Sequence, residues 1–263
     1  FEQRLAVLFA LAPHPVDEIA HIAPARFRLA RLELFEQPGF VADAAQQARI
    51  IEDLVAKGVS AIAVVPMDPS ALEGVLRRAQ ARGIKVISFD SGVKKEGRLM
   101  QLNPSNSALI GEKLVKMSEQ VVGKTGEIAV LSATAQATNQ NIWIGEMKKV
   151  LAKPEYAGLK LVSVVYGDDQ TDKSYREAQG LFKSYPNLKA IIAPTTVGVA
   201  AAAKAVQDEK KVGAIFVTGL GLPSEMAGAV ASGATKSFAI WNPIDLGYAA
   251  TMLSYNIVKG TKA

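Results

Sequence analysis

Gln136, Thr138, Asn139, Gln140 and Asn141 crowd one short turn in the stretch SATAQATNQNIWIGEM, where a strand gives way to a helix. Amides and hydroxyls of this kind carry no charge and both donate and accept hydrogen bonds, which suits recognition of hydroxyl groups more than bond-breaking chemistry. The remaining inventory points the same way. The chain has no cysteine, which removes disulfides, thiolate nucleophiles and zinc-thiolate centres together. Its two histidines, His14 and His21, lie in a Pro-, Ala- and Arg-rich segment, and no triad or metal cluster can be built around them. GDDQTD has closely spaced carboxylates but lacks the glycine and distal glutamate of a calcium loop, so it reads as a helix start with capping acids. GLGLPS lacks the third glycine of a dinucleotide turn and reads as close backbone approach. Neither a metal nor any other cofactor is expected.

These residues must be positioned by secondary structure, and the pattern from Val41 onward is regular. ADAAQQARIIEDLVAKG places Ile50, Ile51, Leu54 and Val55 on one helical face, and the apolar run SAIAVVP follows as a strand. The unit repeats as DPSALEGVLRRAQARG with IKVISFD, NSALIGEKLVKMSEQVVG with GEIAVLSA, and NIWIGEMKKVLAK with LKLVSVVYG. It continues as DKSYREAQGLFKSYP with LKAIIAP, GVAAAAKAVQ with AIFVTGL, and SEMAGAVASG with TKSFAIW. Strands apolar on both faces and separated by helices call for α/β architecture, with parallel sheets covered on both sides. About ten strands exceed the needs of one typical sheet, so two doubly wound lobes joined by a hinge are expected. The seams fall at the polar stretch RLMQLNPSN and near FAIWNP. One lobe is expected at 1–101 with 242–263, the other at 102–241. The segment from Leu11 to Gly39, with two prolines before Val16 and weak periodicity, is expected to be irregular.

Ligands of open parallel sheets bind beyond the carboxyl ends of the strands. The residues there are Asp90 and Ser91, Thr138 to Asn141, Pro194 to Thr196, the glycines of TGLGLP, and Trp241 with Asn242. One carboxylate, one indole and neutral polar groups between them fit a polyol or sugar, offering hydroxyl-matching groups and an aromatic face for C–H surface.

The segments ADAAQQARIIEDLVAKGVSAIAVVPMDPSAL, GIKVISFDS, ATNQNIW, YGDDQTDKSYREAQGLFKSYPNLKAIIAPTTVGVAAAAKAV and KSFAIWNPIDLGY together resemble the periplasmic sugar-binding proteins of ABC transporters. The group resembled contains rhamnose-binding and autoinducer-2-binding members. The resemblance implies a type I periplasmic binding protein whose two lobes close on a sugar. By it, Asp90 takes ligand hydroxyls, Asn139 and Gln140 stand where an acidic or amide pair holds the ligand, Pro194 and Thr196 shape one wall, and Trp241 lies at the hinge side. Autoinducer-2 receptors of this type carry aspartate at the place of Asn139, alanine at that of Thr196, and a lysine after the first strand, near Phe9 and Ala10 here. The segment 11–39 resembles nothing in the family's first helix and second strand, and the family continues past NIVKGTKA with a last strand and tail.

Local readings compete at several of these positions. Asp90 could cap the loop DSGVKKEG, although the family context favours ligand contact. Asn139 or Gln140 could cap the helix at NIW while the other binds. Core packing and ligand contact are equally open for Trp241, and Trp143 is expected in the core.

The chain is therefore read as a secreted, non-enzymatic solute-binding protein that takes a monosaccharide, a rhamnose-like deoxyhexose, and delivers it to the permease of an ABC transporter. It is expected in the periplasm as a monomer, its export signal already removed, with no membrane insertion and no nucleic-acid partner. A net charge of +5 is spread along helices without forming a block, as solvated helix faces require. The effector domain of a sugar-responsive repressor shares the fold but needs an N-terminal helix-turn-helix, for which nothing before RLAVLFA leaves room. An enzyme would need the phosphate loop, nucleophile elbow or acid–base pair that this reading does not find.

Overall fold

Short strands with apolar residues at every position are stable only when both faces of their sheet are covered, and the chain alternates them with amphipathic helices that do so. A computed structural model describes residues 44–261 in full and, outside them, the backbone of two strands, β1 (Gln3–Leu8) and β2 (Ala30–Leu34). The chain divides into two compact units, Phe1–Pro104 with Asn242–Ala263, and Ser105–Trp241.

The first unit holds a parallel sheet ordered β2-β1-β3-β4-β5, completed by β3 (Ala61–Val64), β4 (Lys85–Phe89) and β5 (Met100–Leu102). Alternate side chains of β3 and β4 go to opposite faces. Ile62, Val64 and Val86 meet Ile51 and Leu54 of α1 (Ala44–Ala56) and Val75 and Leu76 of α2 (Glu73–Ala81). Ala61, Ala63, Ile87 and Phe89 cluster instead with Ala250, Leu246, Leu253 and Ile257 of α8 (Pro243–Lys259). The last helix thus closes the face that α1 and α2 leave open. Asn242 starts it, its Oδ1 accepting from the amides of Ile244 and Asp245 at 3.0 and 3.4 Å, with Pro243 in the first helical position.

The second unit holds a parallel sheet ordered β7-β6-β8-β9, from β6 (Gly126–Ser132), β7 (Leu159–Tyr166), β8 (Leu188–Ala193) and β9 (Phe216–Gly219). Ala129, Leu131, Ile191 and Val217 face Leu181 of α5 (Thr171–Ser184), Val199 and Ala202 of α6 (Thr196–Asp208) and Met226 of α7 (Pro223–Ala231). Ile128, Val130, Ala190 and Ile192 take the other face, against Leu114 of α3 (Ser107–Val122) and Trp143, Ile144 and Met147 of α4 (Thr138–Leu151). Helices α3 and α4 touch at Gly111, where a Cβ would stand 2.5 Å from that of Glu146 and 2.9 Å from the amide of Met147. Only a residue without a side chain allows that approach.

Two expectations change. TKSFAIW is not a strand: it forms one bridge, Leu220 to Ala239, just beyond the end of β9 at Gly219, and the hydroxyl of Thr218 donates to the carbonyl of Ser237 at 2.8 Å. The polar stretch RLMQLNPSN, in turn, contains a strand, β5. Within the segment expected to be irregular, 11–39, the structure describes strand β2, paired parallel to β1. The rest of that segment, with His14 and His21, and the place near Phe9 and Ala10 lie outside the described residues.

Candidate ligand-binding site

In the first unit, β4 ends at Phe89 and Asp90 adopts a left-handed conformation with φ of 54°. Aspartate enters that region more readily than most side chains, which turns the chain sharply at the strand end. The Asp90 amide donates to the carbonyl of Leu102 at 3.0 Å, and its own carbonyl accepts from Gln101 Nε2 at 3.3 Å. Gln101 is fixed from below: its Oε1 accepts from the Ser88 hydroxyl and from Arg98 Nη1, the latter at 2.9 Å. Burial holds the Arg98 guanidinium below its usual value. Next to Asp90, the buried hydroxyl of Ser91 has no hydrogen-bond partner among the described residues. The loop after β3 is tied by Gln47 of α1, wholly buried, whose amide donates to the Val65 carbonyl at 2.7 Å and accepts from the Met67 amide at 2.9 Å.

In the second unit, the crowded turn of amides answers largely to the protein itself. Gln140 is buried, and its Oε1 accepts from both the Ser132 hydroxyl at 2.7 Å and the Ala133 amide at 2.9 Å. It braces the end of β6 against α4. Asn141 Nδ2 donates to the Ala135 carbonyl at 2.8 Å, and Asn139 Oδ1 accepts from the Gln140 amide at 2.7 Å. Asn139 is half-buried; the Thr134 hydroxyl, also after β6, is buried without a partner among the described residues. Gln140→Leu is therefore expected to lower stability by about 2–6 kcal/mol, since two buried donors lose their acceptor at about 1–3 kcal/mol each. Denaturant unfolding measures this. Reduced ligand affinity at unchanged stability would instead make Gln140 a ligand contact.

The carboxyl end of β7 supplies a residue that sequence reasoning missed. Asp168 and Asp169 are both left-handed, with φ of 54° and 51°. Two consecutive non-glycine residues in that region store about 1–3 kcal/mol each. Asp168 pairs with Lys173, but Asp169 crosses the end of β6, and its Oδ1 accepts the hydroxyl of Thr195. Burial pushes the Asp169 carboxyl above the usual carboxylate range, and the neighbouring Asp168 adds to this, while the bond from Thr195 opposes it. GDDQTD is thus not merely a set of helix-capping acids: the cap residue of α5 is Gln170, with no side-chain cap bond. The signal was available, since Asp168 and Asp169 follow β7 after a single glycine, Gly167, within reach of the strand's carboxyl end.

At the end of β8, Pro194 is buried, Thr195 is extended and Thr196 opens α6 half-exposed. The end of β9 presses against this point: a Cβ on Gly219 would fall 1.9 Å from the Ala193 carbonyl oxygen, so that position admits only glycine. Trp241 packs on the buried Trp143 with ring centroids 5.4 Å apart and planes tilted by 57°, in the partly exposed margin of the α3–α4 core. It is a core residue on one side while keeping exposed surface on the other.

In each unit the strand ends thus present carboxylates, amides and hydroxyls, Asp90 with Ser91 in one and Asn139, Pro194, Thr196, Asp169 and Trp241 in the other. Such groups bind by hydrogen bonding and apolar contact. Among the described residues, no group of His, Asp and Glu could hold a metal ion, and no helix is long and apolar enough to cross a membrane.

The chain is 28% identical over 187 residues to the D-ribose/D-allose-binding protein of Pseudomonas aeruginosa. That stretch covers 67% of this chain and 56% of the relative, so the match spans a little over half of the relative's length. Among solved structures, it is 34% identical to an ABC transporter solute-binding protein of Clostridium phytofermentas with bound L-rhamnose, with a TM-score of 0.90 over 99% of this chain and 82% of the other. A solute-binding protein of Burkholderia graminis in complex with D-arabinose is 26% identical, with a TM-score of 0.86 over 100% of this chain and 91% of that one. The sequence profile of the periplasmic binding protein domain matches residues 34–262. With two parallel α/β units and a domain match over most of its length, the chain belongs to the periplasmic binding protein family, type I in fold.

Proposed function

We propose that this protein is an extracytoplasmic solute-binding protein that captures a monosaccharide, a rhamnose-like deoxyhexose by preference, and delivers it to the permease of an ABC transporter. The single observation that carries the reading is the 34% identity, maintained over 99% of the chain, to a solute-binding protein that holds L-rhamnose. The polar strand ends, amides and hydroxyls with a few carboxylates, support it, because a sugar needs paired acceptors and donors with few full charges. On this reading the protein performs no chemistry. Ligand binding shifts a population of open and closed states toward the closed one by its preference for that state. Asp90, Asn139, Pro194, Thr196 and Trp241 are the proposed ligand contacts, and Gln140 braces the turn that carries Asn139.

A thermal-shift panel of pentoses, hexoses, deoxyhexoses and autoinducer-2 tests the reading. A ligand at 100 times its dissociation constant adds about 2.7 kcal/mol, which for a domain of this size raises the melting temperature by about 5–10 °C. The expected responder is L-rhamnose. A shift by autoinducer-2 alone would replace the ligand assignment, and no shift by any member would overturn the sugar-binding reading.

A further inference from the structure

Thr195 is held on both branches of its side chain. Its methyl lies against α6 at Gly198, where a Cβ would come within 2.8 Å of it, and its hydroxyl donates to Asp169 from the far side of β6. A β-branched side chain restrained at both substituents has a single χ1 available. The hydroxyl is also diverted from its ordinary use. Thr195 occupies the cap position of α6, where threonine commonly accepts a first-turn amide, yet it makes no such bond. On the other side of the contact, two successive residues after β7, Asp168 and Asp169, take the left-handed conformation. A backbone contortion and a forgone helix cap therefore converge on one contact. The residues on either side of Thr195 are Pro194 and Thr196, the wall assigned to the ligand.

We propose that Asp169 is a positioning residue for that wall, fixing Thr195 so that Pro194 and Thr196 keep the geometry that sugar binding requires. The proposal rests on the sugar-binding reading above. It acts through Thr195 and needs no contact between Asp169 and the ligand. Removing the carboxylate leaves Thr195 free to rotate and return its hydroxyl to the α6 amides, which would pull the wall toward the helix.

Calorimetric titration of the sugar that gives the largest thermal shift tests it on wild type, D169A, T195V, the double variant, and the conservative changes D169N and T195S. D169A and T195V are each expected to weaken affinity about tenfold or more, with the double variant no weaker than either one, as members of one interaction are non-additive. D169N keeps an acceptor and T195S keeps the hydroxyl, so both should stay within about threefold of wild type. T195V carries the test should D169A fail to fold. Unchanged affinity in D169A or T195V, even with a lowered melting temperature, would make the pair a brace of the fold and overturn the proposal, as would losses that add in the double variant. If the wild-type protein responds to no sugar, the functional reading itself has failed and the proposal falls with it. A sugar bound equally by wild type and variants removes Asp169 alone.

Discussion

Asp90→Ala is expected to weaken sugar binding by at least about 100-fold. A hydrogen bond to a charged acceptor contributes about 1.5–3 kcal/mol, and a carboxylate at a strand end can accept two from vicinal hydroxyls. Each 1.4 kcal/mol is a factor of ten in the dissociation constant, so the loss of two bonds spans about 10²–10⁴-fold. The structure adds a second consequence. Asp90 is left-handed, with φ of 54°, and alanine in that region costs about 1–2 kcal/mol. Asp90→Ala should therefore also melt at a lower temperature, which complicates its use alone. Asp90→Gly separates the two effects, since glycine enters the left-handed region freely while the carboxylate is gone. Both variants should lose affinity to a similar degree, with alanine the less stable of the two. Calorimetric titration beside thermal melting reads both quantities. Affinity retained in Asp90→Gly would take Asp90 out of the site and leave it as a turn residue.

Trp143→Ala is expected to destabilise the protein by about 3–5 kcal/mol, the range for truncating a buried aromatic. Trp143 is 2% exposed, packed among Ile144, Met147 and Leu114 and against the ring of Trp241. Domain stabilities are about 5–15 kcal/mol, so the second unit would lose a large fraction of its margin and melt about 6–20 °C lower. Trp143→Phe keeps most of the apolar volume and should cost much less. The chain has two tryptophans, so this milder variant leaves Trp241 as sole indole reporter. Its emission should shift toward the red relative to wild type as the buried indole's signal is removed. A loss below about 1 kcal/mol in Trp143→Ala would mean that the α3–α4 core can collapse around the gap.

The alternation of helix and strand was legible in the letters because it follows from local patterning. Ile50, Ile51, Leu54 and Val55 recur at helical spacing, and the runs around Ile62, Val86, Val130 and Ile191 are apolar at successive positions, as doubly covered strands must be. From strand identity alone, the rule that ligands gather at carboxyl ends nominated Asp90 and Ser91, the turn Thr138 to Asn141, and Pro194 to Thr196 as candidates. The same letters misread TKSFAIW, where propensity favoured a strand but its neighbour ended at Gly219.

The sequence by itself determined which side chains stand at the strand ends, since that depends on residues adjacent in the chain. Only the tertiary structure decided what those side chains hold. Gln140 looks like a ligand contact from its composition and neighbours, yet Ser132 and Ala133 claim its oxygen because β6 and α4 pack at that point. Asp169 looks like a capping acid for the helix it precedes, yet it meets Thr195, 26 residues away, because β6 separates β7 from β8 and leaves its end open to be crossed. An amide or carboxylate has several possible partners and little intrinsic preference among them. Burial makes leaving it unpaired costly, and the packing of distant elements selects the partner that is within reach.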